Sequence, residues 1–362
     1  MMSSRGDQAV VIRMGRRRGV LTWVPVIAGL CLLVACSKGN GSTTAEESVP
    51  PPAPTSTVPS GPVAPLTGLP VDPVLARRPV LVVKIANAPK ARPQTGLIDA
   101  DVMVEEEVEG GITRFAALFH SRDAANVGPV RSARSTDIAV ASALNRPLFA
   151  YSGANLAFLD LIRRSPVVDV GVDRFPREYR RDPRRPAPDN QFSSTPGLFS
   201  HVPPNAGPPP ALFAFRRIGE PADAAGATPA AGVNVEFRDI VLTAVQYRWD
   251  GASGTWKRSQ DGTPHLDADG VQIAPRNVVV QSVNYRDTGF TDQSGAPVPE
   301  AELVGEGEAL VFTDGRVVRG RWRKSSLEAV TEYLDSSGAP VRLTPGPTWI
   351  ELPRPGKTTV VP

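Results

Sequence analysis

Polar and apolar positions change their spacing several times along this chain, and each change predicts an element. Pro79 to Ile85 is a short β-branched apolar run of the kind found in strands buried on both faces. Asp101 to Val108 predicts a second strand with an imperfect period of two. Val102, Val104 and Val108 share one face, Glu105 and Glu107 take the other, and Glu106 falls with the valines. Gly110-Gly111 predicts a tight hairpin turn, because glycine supplies the positive φ such turns need. Thr113 to His120 then returns as an apolar strand. Ile138 to Leu144 reads as a helix with Ser132 or Ser135 as its N-cap. Leu148 to Tyr151 predicts a strand, Leu156 to Arg163 an amphipathic helix, and Val167 to Val170 one more strand. Strands alternating with helices indicate an α/β sheet, of mixed direction given the hairpin.

The pattern shifts after residue 200. From His201 to Ala231 the chain is rich in Pro, Ala and Gly, interrupted by Ala211 to Phe215, and reads as a linker with one anchoring segment. The stretch from Gly232 onward is β-rich. Val233 to Phe237 and Val245 to Trp249 alternate as half-buried strands, and Asn277 to Val283 is a central-strand candidate. Leu310 to Val318 is the strongest hairpin signal, with Asp314-Gly315 at its tip. The expected class is therefore α+β: an N-terminal α/β domain with a mixed sheet over 66–200, a linker over 201–231, a smaller β-rich domain over 232–355, and a tail over 356–362.

The first 65 residues predict an address. Arg13 to Arg18 form a positive region (Met14 is an alternative start), and Gly19 to Ala35 is uncharged and mostly apolar. This run falls short of the roughly 20 residues a membrane span needs and contains Pro25. Leu33-Val34-Ala35-Cys36 resembles a bacterial lipobox. The resemblance implies a signal peptide over 1–35 and a mature N-terminus at a lipid-modified Cys36. Several acyl chains would hold it firmly at the membrane, each buried methylene contributing about 0.8 kcal/mol. Residues 36–65, rich in Ser, Thr and Pro, cannot bury enough apolar surface to offset their ordering entropy. They predict a disordered tether that reaches up to roughly 90 Å at about 3.1 Å per residue.

Charge and cysteine content narrow the function. Of 40 basic and 37 acidic side chains, residues 1–35 hold five arginines and one acid, so the remainder keeps 35 and 36, net −1. The basic footprint of nucleic-acid binding is absent from that balance, and no nucleic-acid partner is expected. The two cysteines are Cys31, inside the leader, and Cys36. The mature chain thus has no second thiol for a disulfide and no cysteine left for catalysis or metal binding.

The densest chemistry lies between Asp99 and Asp137. Glu105, Glu106, Glu107, Glu109, Arg114, Arg131 and Arg134 crowd beside apolar strands. A helix N-terminus presents unpaired amides, and two arginines beside it make an anion-binding corner. Glu105, Glu106, Glu109, Arg114, Arg131, Ser132 and Arg134 are the expected ligand-binding set. In one reading Glu106 and Glu109 are the acid and base of a glycan hydrolase or transferase, whose carboxylates stand about 5–10 Å apart. In the other the glutamates pair with the arginines in a structural network or line a ligand pocket. Carboxylates so near arginines stay ionised, which suits a nucleophile but not a general acid. The binding reading is preferred.

Other chemistry is weaker. Ser132 and Ser135 lack a Gly-x-Ser-x-Gly elbow, and nothing in the sequence brings His120, His201 or His265 to them. Asp267-Ala268-Asp269-Gly270 echoes the start of a calcium loop without the later ligands and reads as a turn. The Arg-rich stretch Asp173 to Phe192 reads as a solvated loop pinned by local ion pairs rather than a grip for an anionic glycan. With no Walker loop or dinucleotide fingerprint, no cofactor and no metal are expected.

Blocks spread along the chain resemble the YerB-like lipoprotein family. They are Ala91 to Gly96, Asp99-Ala100-Asp101, Glu109 to Phe115 and Gly128 to Arg134, then Asp261 to His265, Asn277 to Gln281 and Pro345 to Trp349. The similarity spans roughly residues 66–352 in the same order. It implies a lipoprotein of two domains with no established activity. One departure is Ala187-Pro188-Asp189-Asn190, which stands where the family tends to carry a His-Asn pair, so chemistry by such a histidine would be lost here. Together these readings predict a lipid-anchored protein on the extracytoplasmic face of a bacterial cell membrane. It would be a binding or accessory module for an envelope polymer or an envelope protein.

Overall fold

The computed structural model describes residues 61–222, 224–237, 243–292 and 295–362. The leader, Cys36 and most of the expected tether lie outside the described residues.

The apolar runs form strands where their spacing predicts them. β1 (Leu81–Ala86), β2 (Val102–Glu107) and β3 (Thr113–Phe119) are buried along their whole length. α1 (Ser135–Ala141), β4 (Leu148–Ala150), α2 (Leu156–Arg164), β5 (Val168–Asp169) and the short α3 (Thr195–Phe199) follow. The second half is mostly strand. It contains β6 (Gly232–Phe237), β7 (Thr243–Asp250), β8 (Thr255–Gln260), β9 (Asn277–Gln281), β10 (Tyr285–Thr291) and β11 (Pro297–Ala301). β12 (Gly305–Thr313), β13 (Arg316–Lys324), β14 (Glu332–Leu334), β15 (Thr348–Leu352) and β16 (Thr358–Val361) complete it. Asp314 and Gly315, at φ 51° and 68°, close the β12–β13 hairpin in the left-handed geometry that suits the twist of its strands.

One large mixed sheet carries both halves. Its order is β14-β13-β12-β9-β15-β2-β3-β1-β4-β5, with Thr228–Pro229 pairing β13 off this path. β1 runs parallel to β4, and β15 lies parallel to both β2 and β9. The expected mixed sheet is present, and it takes strands from both halves of the chain. β15, from near the C-terminus, is inserted between β2 and β9 and joins strands of both halves by backbone hydrogen bonds.

Alternation along the strands builds two cores. Leu81, Val83, Ile85, Met103 and Phe115 face the five-stranded sheet that contains β8-β7-β6-β16, meeting Val233, Val245, Tyr247 and Trp256. Val80, Val82, Val102, Val104 and Leu118 face the other way, toward Ala139 and Ala141 of α1 and Ile162 of α2. Three expected boundaries move for the same reason: apolar side chains find partners. Ala64, assigned to the tether, is fully buried, and its N–H donates to the Leu69 carbonyl at 2.8 Å. Ala214–Phe215, inside the expected linker, pairs with Arg342–Leu343. Thr358–Val361, assigned to the tail, pairs antiparallel with β6.

Candidate functional site

A polar cavity of about 640 Å³ opens where the β2–β3 connection meets the segment leading into α1. The connection is wider than a two-residue turn. Val108 N–H donates to the Ile112 carbonyl at 3.0 Å, and Gly110 and Gly111 take φ of 72° and 77°, which folds Glu109 inward. α1 begins after Arg134 rather than at a serine cap. The Asp137 carboxylate accepts the Arg134 backbone N–H at 2.7 Å and satisfies an amide at the helix start.

Glu109 is the centre of this corner. It accepts from Arg114 Nη2 at 2.9 Å, from Arg134 Nε at 2.8 Å, and from Arg134 Nη2. Arg114 Nη1 donates to the Ser132 carbonyl at 2.9 Å and Arg134 Nη1 to the Ala133 carbonyl at 2.7 Å. Burial alone would raise the Glu109 carboxyl. The Arg134 hydrogen bonds and the charges of Arg114 and Arg134 outweigh it and hold the group down at about 2. Burial and the Arg134 charge lower Arg114 to about 10. Arg131 and Ser132 border the same cavity, as do Asn155 at the N-cap of α2, and Thr291 and Val298 of the β10–β11 hairpin. Both halves of the chain therefore supply its walls. Ala301 N–H donating to Thr136 Oγ1 at 3.0 Å fixes that hairpin to α1.

Of the seven residues singled out from sequence, Glu109, Arg114, Arg131, Ser132 and Arg134 border this cavity, and Glu105 and Glu106 do not. The reason is the strand period. Glu106 points to the helix layer, where Lys84 Nζ bonds both its carboxylate and Asp137 Oδ1, the latter at 2.7 Å. It is 2% exposed. Burial pushes its carboxyl up; the Lys84 charge opposes this only in part, and the Asp137 charge adds to the rise. Glu105 points to the opposite face. Its Oε2 accepts from Arg258 Nη2 at 2.6 Å and its Oε1 from Thr113 Oγ1 and from Asn87 Nδ2 at 2.9 Å.

Arg258 anchors a second buried network between the two sheets. It donates to Gln260 Oε1 at 2.8 Å and to His265 Nδ1, and its guanidinium lies 4.9 Å from the Trp349 ring centre. Tyr247 Oη donates to Glu351, whose carboxyl burial and the nearby Glu105 charge push well above its usual range. His265, faced by Arg258 and Arg92, is held well below its usual value by burial and those charges, and it stays neutral. Glu107 is gripped by Arg354 from two nitrogens, at 2.9 and 3.0 Å.

Sequence reasoning missed Lys84, Asp137 and Arg258 as partners. Lys84 carried a readable signal, since a lysine inside a strand buried on both faces needs a counter-charge. Arg258 stands two positions after the inward Trp256 in β8, which places it on the same core face. The Arg-rich loop is tied within itself, Arg184 to Asp182 and Arg181 Nη1 to Asn190 Oδ1 at 2.8 Å, and also to a distant segment, Arg185 to the Ala91 carbonyl at 2.6 Å. Asp267 reaches out of its turn and accepts the N–H of the distant Leu97 at 2.9 Å.

Comparison with known proteins agrees with this architecture. Residues 66–205 match the N-terminal domain, and residues 233–350 the C-terminal domain, of a protein family of unknown function, DUF3048. The chain is 29% identical over 301 residues to "Putative lipoprotein YerB" of Bacillus subtilis (strain 168), covering 80% of this chain and 85% of that protein. It also matches the crystal structure of the Bacillus subtilis YerB protein with a TM-score of 0.71 and 25% identity, over 83% of this chain and all of that one. Two domain matches in the same order, one relative and one solved structure converge: the chain belongs to the YerB-like DUF3048 family.

Proposed function

We propose that this protein is a membrane-anchored lipoprotein of the bacterial cell envelope that acts as a binding or accessory module. Cys36 carries the lipid at the extracytoplasmic face, residues that follow act as a spacer, and the folded unit offers its Glu/Arg cavity to an envelope polymer or envelope protein. The observation that carries the reading is the cavity of about 640 Å³ with Arg114, Arg131 and Arg134 around a single paired glutamate. The similarity to a protein named as a lipoprotein supports the anchor.

Two measurements test it. Labelled palmitate enters the wild type and not Cys36→Ala. Purified envelope polymer retained by the wild type is lost on Arg131→Ala, and equal retention by the variant would remove the cavity from the account.

The alternative, a glycan hydrolase or transferase using Glu106 and Glu109, draws support from the opposite directions in which the two carboxyls are pushed. Against it, Glu106 is enclosed by Lys84 and Asp137 and does not border the cavity. Wall-degrading activity that disappears in Glu106→Gln while the protein stays folded would restore that alternative.

A further inference from the structure

Four arginines border the cavity, and three have hydrogen-bond partners. Arg114 is engaged by Ser132 and Glu109, Arg134 by Glu109 and Ala133, and Arg181 by Asn190. Arg131 differs. Its ion-pair partner is Asp189, with Nε 3.5 Å from Oδ1, and its guanidinium donates no hydrogen bond among the described residues. Asp189 Oδ1 is itself buried and accepts none. The Arg131 side chain is 24% exposed and borders the cavity. With Asp189 on its Nε side, the two terminal nitrogens remain as a fork at the cavity wall, the geometry that binds carboxylate and phosphate oxygens in pairs.

We propose that this fork receives an oxyanion, a carboxylate or a phosphodiester, carried on a hydroxyl-rich envelope polymer, and that Asp189 limits affinity by competing for the same guanidinium. The inference rests on the binding-module reading above and adds the ligand's chemical class. Three features support it. Four guanidiniums face two carboxylates, Glu109 and Asp292, in the lining, so the cavity favours negative charge. The Glu109 bridge holds Arg114 and Arg134 still, which leaves them as a fixed positive floor rather than flexible contacts. Ser132, Ser152 and Asn155 stand beside Arg131 in the lining, with groups able to bond hydroxyls. The volume falls within the roughly 300–1,000 Å³ of small-molecule sites and suits a polymer end or a short repeat.

The experiment uses the full-length protein in detergent, titrated calorimetrically with three probes: N-acetylmuramic acid, a short glycerol-phosphate oligomer with phosphodiester links, and neutral N-acetylglucosamine. One or both anionic probes bind, and the neutral sugar binds at least tenfold more weakly. Binding of the first alone assigns a glycan-borne carboxylate, and binding of the second alone a polyol-phosphate chain. Arg131→Gln weakens the anionic probe tenfold or more, and Arg131→Lys, which keeps the charge without the fork, falls between. Asp189→Asn, which keeps the shape and lifts the competing charge, tightens it about threefold or more. A merely structural aspartate would give no gain. Equal binding of the neutral sugar, indifference to Arg131→Gln, or no binding of any probe overturns the oxyanion assignment. The polymer-retention measurement above still decides the wider reading separately. Loss of affinity in Asp189→Asn removes the competitive role of Asp189.

Discussion

Lys84 Nζ lies 2.7 Å from Asp137 Oδ1, and the other oxygen of the same carboxylate accepts the Arg134 backbone N–H at 2.7 Å. A single buried aspartate thus joins the middle of β1 to the start of α1, directly behind the arginine that grips Glu109. Lys84 also holds Glu106, so one cation balances two enclosed acids. Replacing it with methionine leaves both without a counter-charge. Lys84→Met is expected to cost about 3–5 kcal/mol, read as a shift of the urea midpoint with unchanged slope.

Glu109 sets the acid limb of stability. Its folded value of about 2 lies below the usual 4.5, so its contribution is complete above about 4.5 and is lost as pH falls toward 2. Thermal melts between pH 5 and pH 2 should fall less steeply for Glu109→Gln than for the wild type. Parallel curves would mean that the Arg114–Glu109–Arg134 bridge contributes nothing.

Lys324 acts in the opposite direction. Its Nζ donates to the Ala139 carbonyl of α1 at 2.9 Å, and burial lowers it from 10.5 to about 8. Between these values the unfolded chain binds more protons, so the penalty of enclosing the charge is full below about 8 and is relieved as pH rises to 10.5. The wild type should therefore gain stability relative to Lys324→Met over that interval. Denaturant midpoints at pH 7.5 and pH 10 measure it.

Gly315 tests the hairpin. Its φ is 68°, and an added Cβ would stand 2.7 Å from Trp249 Nε1. Gly315→Ala is expected to cost about 1–3 kcal/mol from strain and displacement of that ring. The melting temperature reports the loss, and a variant as stable as the wild type would contradict the turn geometry.

Much of the fold was legible because its signals are local. β1, β2, β3 and the β12–β13 hairpin follow from runs, alternation and an Asp-Gly pair read over a few residues. The assignment of Glu106 to the valine face of β2 was equally local. What the sequence hid were relationships across long separations. Nothing near Leu352 announces that β15 slots beside β2, and nothing near Glu105 names Arg258 as its partner 153 positions away. The same blindness made Glu105 and Glu106 look like cleft residues. Counting charges in a strand says how many acids there are, and only the neighbouring strands and helix say which of them water can reach. The serine caps failed for a related reason: Asp137, within the helix, supplies the acceptor instead.

The placement of β15 has a consequence for how the chain is made. Until β15 is made, the edge of β2 away from β3 has no strand to pair with. Fragments cut between the two family segments should precipitate singly and recover order only when refolded as a mixture.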